Sequence, residues 1–211
     1  MDHFLNYNLI LSMLFEPKIV FDCGYENYMT QLELNNCAKQ LLISFVANRM
    51  HISPAHLYLC NASRDSKLMN KLHRLIPSLY DDSFPLDCTP ESYLDIFDKD
   101  KLVYLTPHCR TPMVSYDPDK IYIIGSIVDK TDPKPYSLAK AKKEGIRMEQ
   151  FPLDKYLHWS SGSGKSLTLN QALGILLDMK FTQNWSTVLQ QHIPVRKLVN
   201  NSNERREISN K

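Results

Sequence analysis

The chain is 211 residues long, 43% hydrophobic and 23% charged, with a net charge of +2. That length supports one domain with a full core and excludes two large ones, and the balance of apolar and charged residues is that of a globular protein, not a low-complexity one. A charge this close to neutral excludes nucleic-acid binding by bulk basicity, so any such contact must come from a local patch.

Short apolar runs alternate with helical patterns. Ile19-Val20-Phe21 predicts a first strand that ends at Asp22. Leu34, Ala38, Leu41, Leu42 and Phe45 then fall at helical spacing with one buried stripe. The run from Leu57 to Cys60 predicts a second strand, and Thr89-Pro90 is a helix start, a capping hydroxyl followed by proline, for a helix carrying Tyr93, Leu94 and Phe97. Leu102-Val103-Tyr104-Leu105 and Ile121-Tyr122-Ile123-Ile124 are continuous apolar runs, the pattern of parallel strands covered on both faces. Ser137 is expected to cap a short basic helix that Gly145 ends. Thr168-Leu169-Asn170-Gln171 fits a capping box, and the helix behind it should bury Leu169, Ala172, Leu173, Leu176 and Leu177. This alternation predicts a single α/β domain over residues 1–199 with a mostly parallel sheet. The polar segment 200–211 is expected to be a disordered tail.

The segment 121–130, IYIIGSIVDK, carries the most chemical information. A buried strand runs into Gly125 and Ser126, and Asp129 follows. Ligands of open α/β sheets sit beyond the carboxyl ends of strands, where glycine admits close approach to the backbone and an acid can meet a substrate. A turn with a solvated aspartate has the same local pattern. Leu105-Thr106-Pro107 follows the other strong strand in the same way, and two such loops suggest one pocket between them. Ser161-Gly162-Ser163-Gly164-Lys165-Ser166 is not a phosphate loop, because that motif needs glycine where Trp159 stands. Asn36 and Gln40, four apart, share one helix face, either solvated or placed to read a base edge. Lys130, Lys134, Lys140, Lys142, Lys143 and Arg147 form a basic run that fits a solvated helix face and a phosphate-contacting face equally. The five cysteines include no C-x-x-C pair and read as reduced thiols. His51, His73 and His108 lack metal-ligand spacing, so no metal is expected. No stretch approaches the roughly 18 apolar residues of a membrane span. Met1-Asp2-His3 has the layout of neither a signal nor a transit peptide, which predicts a cytosolic protein or one trimmed of upstream sequence.

IYIIGSIVDK, SLAKAKKEGIRM, FPLDKYLHW and SLTLNQALGILLDMK occur in order over residues 121–180, with KIVFDCGYENYM and KLVYLTPHCR upstream. Together they resemble the SPOUT-class methyltransferases that act on N1 of the purine at tRNA position 9. GYENYM, LTPHCR and PLDKYLHW are most similar to the mitochondrial branch, whose members serve as methyltransferase subunits of a protein-only ribonuclease P. Cytosolic relatives usually carry Asp-Ser after Leu-Thr-Pro. His108-Cys109 stand there instead, so details of that branch do not transfer to this loop.

The resemblance implies an α/β SPOUT fold with a C-terminal trefoil knot and S-adenosylmethionine as cofactor. The cofactor would lie among Leu105-Thr106-Pro107, Ile124-Gly125-Ser126, Phe151-Pro152-Leu153 and Ser166-Leu167-Thr168. It implies Asp129 as general base, Asn36 and Gln40 orienting the purine, and the basic run contacting tRNA phosphates. It further implies a monomeric domain of a longer mitochondrial protein, and a complex with tRNA and precursor tRNA, a short-chain dehydrogenase-type subunit and a protein-only nuclease subunit. A non-catalytic tRNA-binding scaffold is the competing expectation.

Overall fold

The computed structural model describes residues 2–129, 134–160 and 165–199. In chain order come α1 (Asp2–Phe15), β1 (Lys18–Asp22), α2 (Gln31–Met50), β2 (His56–Cys60), α3 (Lys67–Leu75), β3 (Asp87–Cys88) and α4 (Tyr93–Ile96). Then follow β4 (Leu102–Leu105), β5 (Ile121–Gly125), α5 (Tyr136–Glu144), β6 (Arg147–Glu149), α6 (Leu153–Tyr156), α7 (Leu169–Thr182) and α8 (Trp185–His192). The six strands form one sheet in the order β3-β2-β1-β5-β4-β6, and every neighbouring pair is parallel. All strands therefore end at one edge, and the loops that follow them gather there.

Strand residues alternate between the two faces of the sheet. Phe21, Leu57 and Leu59 meet Leu41 and Phe45 of α2 and Leu72 of α3 on one face. Val20 and Asp22 point to the other, where α4 and α5 lie. The central strands are apolar on both faces because both are covered. α2 starts where Thr30 and Glu33 cap each other: Glu33 Oε2 accepts from Thr30 N at 2.9 Å, and Thr30 Oγ1 accepts from Glu33 N at 3.3 Å. Its buried stripe contains the expected Leu34, Ala38, Leu41 and Phe45. The capping box before α7 is present, with Gln171 Oε1 accepting from Thr168 N at 3.0 Å. Gly145 ends α5 in the left-handed region at φ 64°.

Two helix starts differ from expectation. Thr89-Pro90 does not open a helix: Thr89 N donates to Leu59 O and Thr89 O accepts from Ala62 N, so Thr89 continues the pairing of β3. Ser92 caps α4 in its place, accepting from Leu94 N at 3.2 Å, and Phe97 lies just beyond the helix. Ser137 lies inside α5 and its hydroxyl meets Thr106 Oγ1 at 2.8 Å, a tertiary bond that takes it away from capping. The segment 200–211 expected as a tail lies outside the described residues.

α7 and α8 are joined through Asp178. Its Oδ2 accepts from His192 Nε2 at 2.6 Å and its Oδ1 from His51 Nε2 at 3.0 Å, so α8 and the end of α2 converge on one carboxylate. Burial pushes the Asp178 carboxyl up, but the hydrogen bonds from His51 and His192 outweigh it and hold it below its ordinary value. A depressed carboxyl adds stability above its unfolded pKa of about 3.9 and loses it as pH falls through the folded value. The clamp needs Gly174, where a β-carbon would lie 2.4 Å from His192 Cε1. Gly174→Ala should therefore lower the unfolding free energy by about 1–3 kcal/mol. Urea denaturation reads this as a lower midpoint with unchanged slope, and an unchanged midpoint would show that His192 moves aside freely.

Candidate active site

The carboxyl edge of the sheet is organised by a residue that has no room for water. Asp22, last in β1, is 0% exposed. Its Oδ2 accepts from Tyr104 Oη at 2.8 Å and from Lys140 Nζ at 2.5 Å. Its Oδ1 accepts from Asn61 Nδ2 at 2.8 Å and from Gly24 N at 3.1 Å. Tyr25 Oη lies 2.6 Å from Tyr104 Oη, and Tyr93 Oη donates to Glu144 Oε2 at 2.6 Å. Burial first, and then the Asp22 charge, push the hydroxyls of Tyr25, Tyr93 and Tyr104 up, so all three stay protonated and act as donors. Asn61 holds its amide in place from the left-handed region, at φ 54°. A non-glycine residue there is uncommon, and asparagine is among those that tolerate it. The Lys140 ammonium also sits 5.1 Å from the Tyr25 ring centroid and 5.3 Å from that of Tyr93.

This cage lies directly under the loop after β5. Asp22 pairs with Gly125 across the sheet, and Asp22 O accepts from Ser126 N at 2.8 Å. A β-carbon on Gly125 would stand 3.1 Å from Tyr104 Oη and 3.2 Å from Tyr25 Cε2, so the tyrosines press against the glycine from inside. β5, β4 and β6 are neighbours, which brings together the segments 105–107, 124–126 and 151–153. Thr106 N donates to Glu149 O at 2.9 Å, which ties the loop after β4 to the end of β6. One turn of α2 reaches the fourth segment: Cys37 Sγ donates to Ser126 O at 3.3 Å, and Gln40 Oε1 accepts from Leu169 N at 2.9 Å. Gln40 thus holds the first turn of α7, just behind 166–168. Asn36 is half-buried on the same turn. Around these segments Phe151, Leu153 and Leu167 are half-buried and Ser166 and Thr168 are exposed.

Asp129 stands beyond this loop, partly open to solvent. The neighbouring Val128 N donates to Met29 Sδ at 3.4 Å, which seats the segment against the start of α2. Burial raises the Asp129 carboxyl above its ordinary value. Main-chain hydrogen bonds, including one at Lys134, and the charge of His108 pull it back, and Glu33 pushes it further up.

The expected basic run does not form one surface. Lys140 turns inward to Asp22, because a buried carboxylate needs a cation nearby. Arg147 pairs with Glu149, Nη2 to Oε1 at 2.7 Å, although it remains exposed. Lys134, Lys142 and Lys143 are exposed, and Lys130 lies outside the described residues. Sequence reasoning passed over Asp22, Tyr25, Tyr93, Tyr104, Asn61 and Lys140 as a group. The available signal was an acid closing the apolar strand Lys18–Asp22, the same pattern that singled out Asp129. Among the described residues, no group of three or more His, Cys, Asp or Glu could hold a metal ion.

The family model described as "tRNA (guanine(9)-N(1))-methyltransferase TRM10/TRM10A" matches residues 13–198. The chain is 48% identical over 200 residues to "Mitochondrial ribonuclease P protein 1 homolog" of Drosophila melanogaster, covering 95% of this chain and 45% of that protein. It is 42% identical over 197 residues to "tRNA methyltransferase 10 homolog C" of Homo sapiens, covering 93% of this chain and 48% of that protein. The chain thus spans about half the length of these curated relatives. Among solved structures, the "spTrm10(Full length)-SAH complex" superposes with a TM-score of 0.74 at 31% identity, covering 84% of this chain and 94% of that one. A Trm10 structure from Thermococcus kodakaraensis, at 20% identity and a TM-score of 0.64, shares the fold.

The cage makes a prediction about Lys140. Removing one partner of a buried ion pair typically costs about 3–5 kcal/mol, because the other charge is left uncompensated. Lys140→Met should cost about that much stability, and Lys142→Met, on the exposed face, less than about 0.5 kcal/mol. Equal effects in thermal or urea denaturation would refute the inward role of Lys140.

Proposed function

Because this chain belongs to the TRM10 family of tRNA (guanine(9)-N(1))-methyltransferases, we propose that it transfers a methyl group from S-adenosylmethionine to N1 of the purine, guanine or adenine, at position 9 of mitochondrial tRNA. The proposal includes a second role as a tRNA-binding subunit in 5′ processing of precursor tRNA, with a dehydrogenase-type and a nuclease subunit. The observation that carries the catalytic reading is the family match across residues 13–198, with Asp129 at the edge where the strand-end loops gather. The relative named as a mitochondrial ribonuclease P protein supports the location and the second role. The SAH complex of spTrm10 supports the cofactor. The parallel sheet flanked by helices has the SPOUT-type architecture; a knot through segments 124–126, 151–153 and 166–168, and a monomeric domain, belong to the proposal.

Bound S-adenosylmethionine would supply an electrophilic methyl group from its sulfonium, the S–methyl bond electrons staying on sulfur to leave neutral S-adenosylhomocysteine. The protein's part is to hold the purine with N1 facing that methyl and to take the proton that N1 of guanine carries. Asp129 is the residue for the proton: as the N1–carbon bond forms, the N1–H proton passes to its carboxylate. A carboxyl raised by burial is a better proton acceptor than an ordinary one. N1 of adenine bears a free lone pair, so an adenine substrate makes no such demand. Gln40 acts one step back, by fixing the first turn of α7 behind 166–168, with Asn36 beside it on α2. Phosphate contacts fall to the exposed Lys134, Lys142 and Lys143.

Asp129→Asn keeps the size of the side chain and removes the base. General-base help is typically worth about 10²–10⁴-fold, so methylation of a G9 transcript should fall by that order while SAH binding, measured by calorimetry, is unchanged. An A9 transcript should lose less. Because burial raises this carboxyl, the parent's G9 rate should fall on acidification from above the ordinary carboxylate range, and the variant should lack that limb. A variant within a few-fold of the parent on G9 would exclude Asp129 as base. Binding of tRNA without any methyl transfer by the parent would favour the scaffold.

A further inference from the structure

We propose that Tyr28, backed by Tyr136, is a stacking platform for an unstacked nucleobase of the RNA substrate; the idea rests on the tRNA methyltransferase reading above. Tyr28 ends the 3-10 turn Glu26–Tyr28, and Tyr136 opens α5. Their ring centroids are 4.3 Å apart with planes 30° from parallel. The Tyr25 ring supports Tyr28 from the interior, at 6.3 Å and 52°, and is itself held by the Asp22 cage through Tyr104. Tyr28 is therefore a propped ring, yet 53% of the residue faces solvent. An aromatic side chain packed on two neighbours and still half open is costly as core and well suited to a flat ligand.

The surroundings point to what that ligand is. Tyr28 is followed by Met29, whose sulfur takes the N–H of Val128, the residue before Asp129. Tyr136 opens the helix that presents the exposed Lys142 and Lys143. A half-exposed aromatic side chain, a carboxylate and cations thus share one edge of the sheet. The N1 atom of a purine lies on its Watson–Crick edge, and enzymes that modify bases reach such atoms by taking the base out of the stack. The extruded base, or the neighbour it leaves, then needs a new stacking surface, and aromatic side chains supply it without regard to sequence. Proximity to Asp129 fits a base at or beside the methylated position.

The test compares Tyr28→Phe and Tyr28→Leu in the intact protein. Phenylalanine keeps the ring, whereas leucine keeps apolar bulk and loses stacking. Losing one base–aromatic stack should lower kcat/KM for tRNA by roughly 5- to 100-fold in the leucine variant, while the phenylalanine variant stays within about twofold of the parent. SAH affinity, which reports an intact fold, should be the same in all three. The stacked base is located with transcripts carrying 2-aminopurine at position 8, 9 or 10. At one of them the bound complex should be brighter with the leucine variant than with the parent or the phenylalanine variant. A leucine variant as active as the parent, or matching it in fluorescence at all three positions, overturns the platform. A parent that neither binds tRNA nor transfers methyl to it overturns the functional reading instead, which keeps the two failures distinct.

Discussion

A carboxylate with no exposure to water sets the geometry of the whole carboxyl edge. Asp22 ends a central strand, so its side chain enters the layer between the sheet and α5, where an uncompensated charge would cost several kcal/mol. The chain supplies four kinds of donor from four places: a lysine from α5, a tyrosine from β4, an asparagine from the end of β2 and the backbone N–H of Gly24. Each satisfies the carboxylate only if its own element is correctly placed. The constraint therefore fixes where α5 lies and how the chain turns after β1 and β2. A hydrophobic contact in the same position would tolerate sliding, because apolar burial is non-directional.

The other organiser is α2. It is well started, by the Thr30–Glu33 box, and well buried along one stripe. Its functional contribution comes from two polar side chains on one turn. The Cys37 thiol, which burial pushes up to about 12, remains a protonated donor to Ser126 O. The Gln40 amide accepts from the first free N–H of α7. Helix starts leave such N–H groups without partners inside the helix, so Gln40 fixes α7 at the point where it departs from 166–168. The loop after β5 and the loop before α7 are thus referred to one rigid helix. Two segments far apart in sequence, 124–126 and 166–168, acquire a fixed relation that neither could achieve alone.

What the sequence made legible follows from this division. The apolar strands Leu102–Leu105 and Ile121–Gly125, the Thr168–Gln171 capping box and the Gly145 stop are local signals, and each is where it was expected. Elements whose existence depends on partners were not legible. β3 and β6 are two and three residues long and are strands only because β2 and β4 pair with them. α1 was not among the helices that periodicity marked. Ser137 and Thr89 are good cap residues by type, but a tertiary hydroxyl and a strand claimed them first. Lys140 read as one cation among six because periodicity cannot tell an inward lysine from an outward one. Only the position of Asp22, fixed by the strand register, decides it.

Two acids close or follow apolar strands at adjacent positions of the sheet, and their surroundings separate their roles. Asp22 is fully enclosed and is satisfied by a cation and three neutral donors, so little of its hydrogen-bonding capacity is left to take up a substrate proton. Asp129 is partly open, and its charge is opposed by burial and by Glu33 and supported by main-chain hydrogen bonds and by His108. Its carboxyl is raised, in the direction that brings a base closer to working pH. Pairs of carboxylates with divergent environments commonly divide structural or electrostatic work from proton transfer in this way. Asp129 is the more open of these two acids, and its raised carboxyl suits the proposed role of proton acceptor.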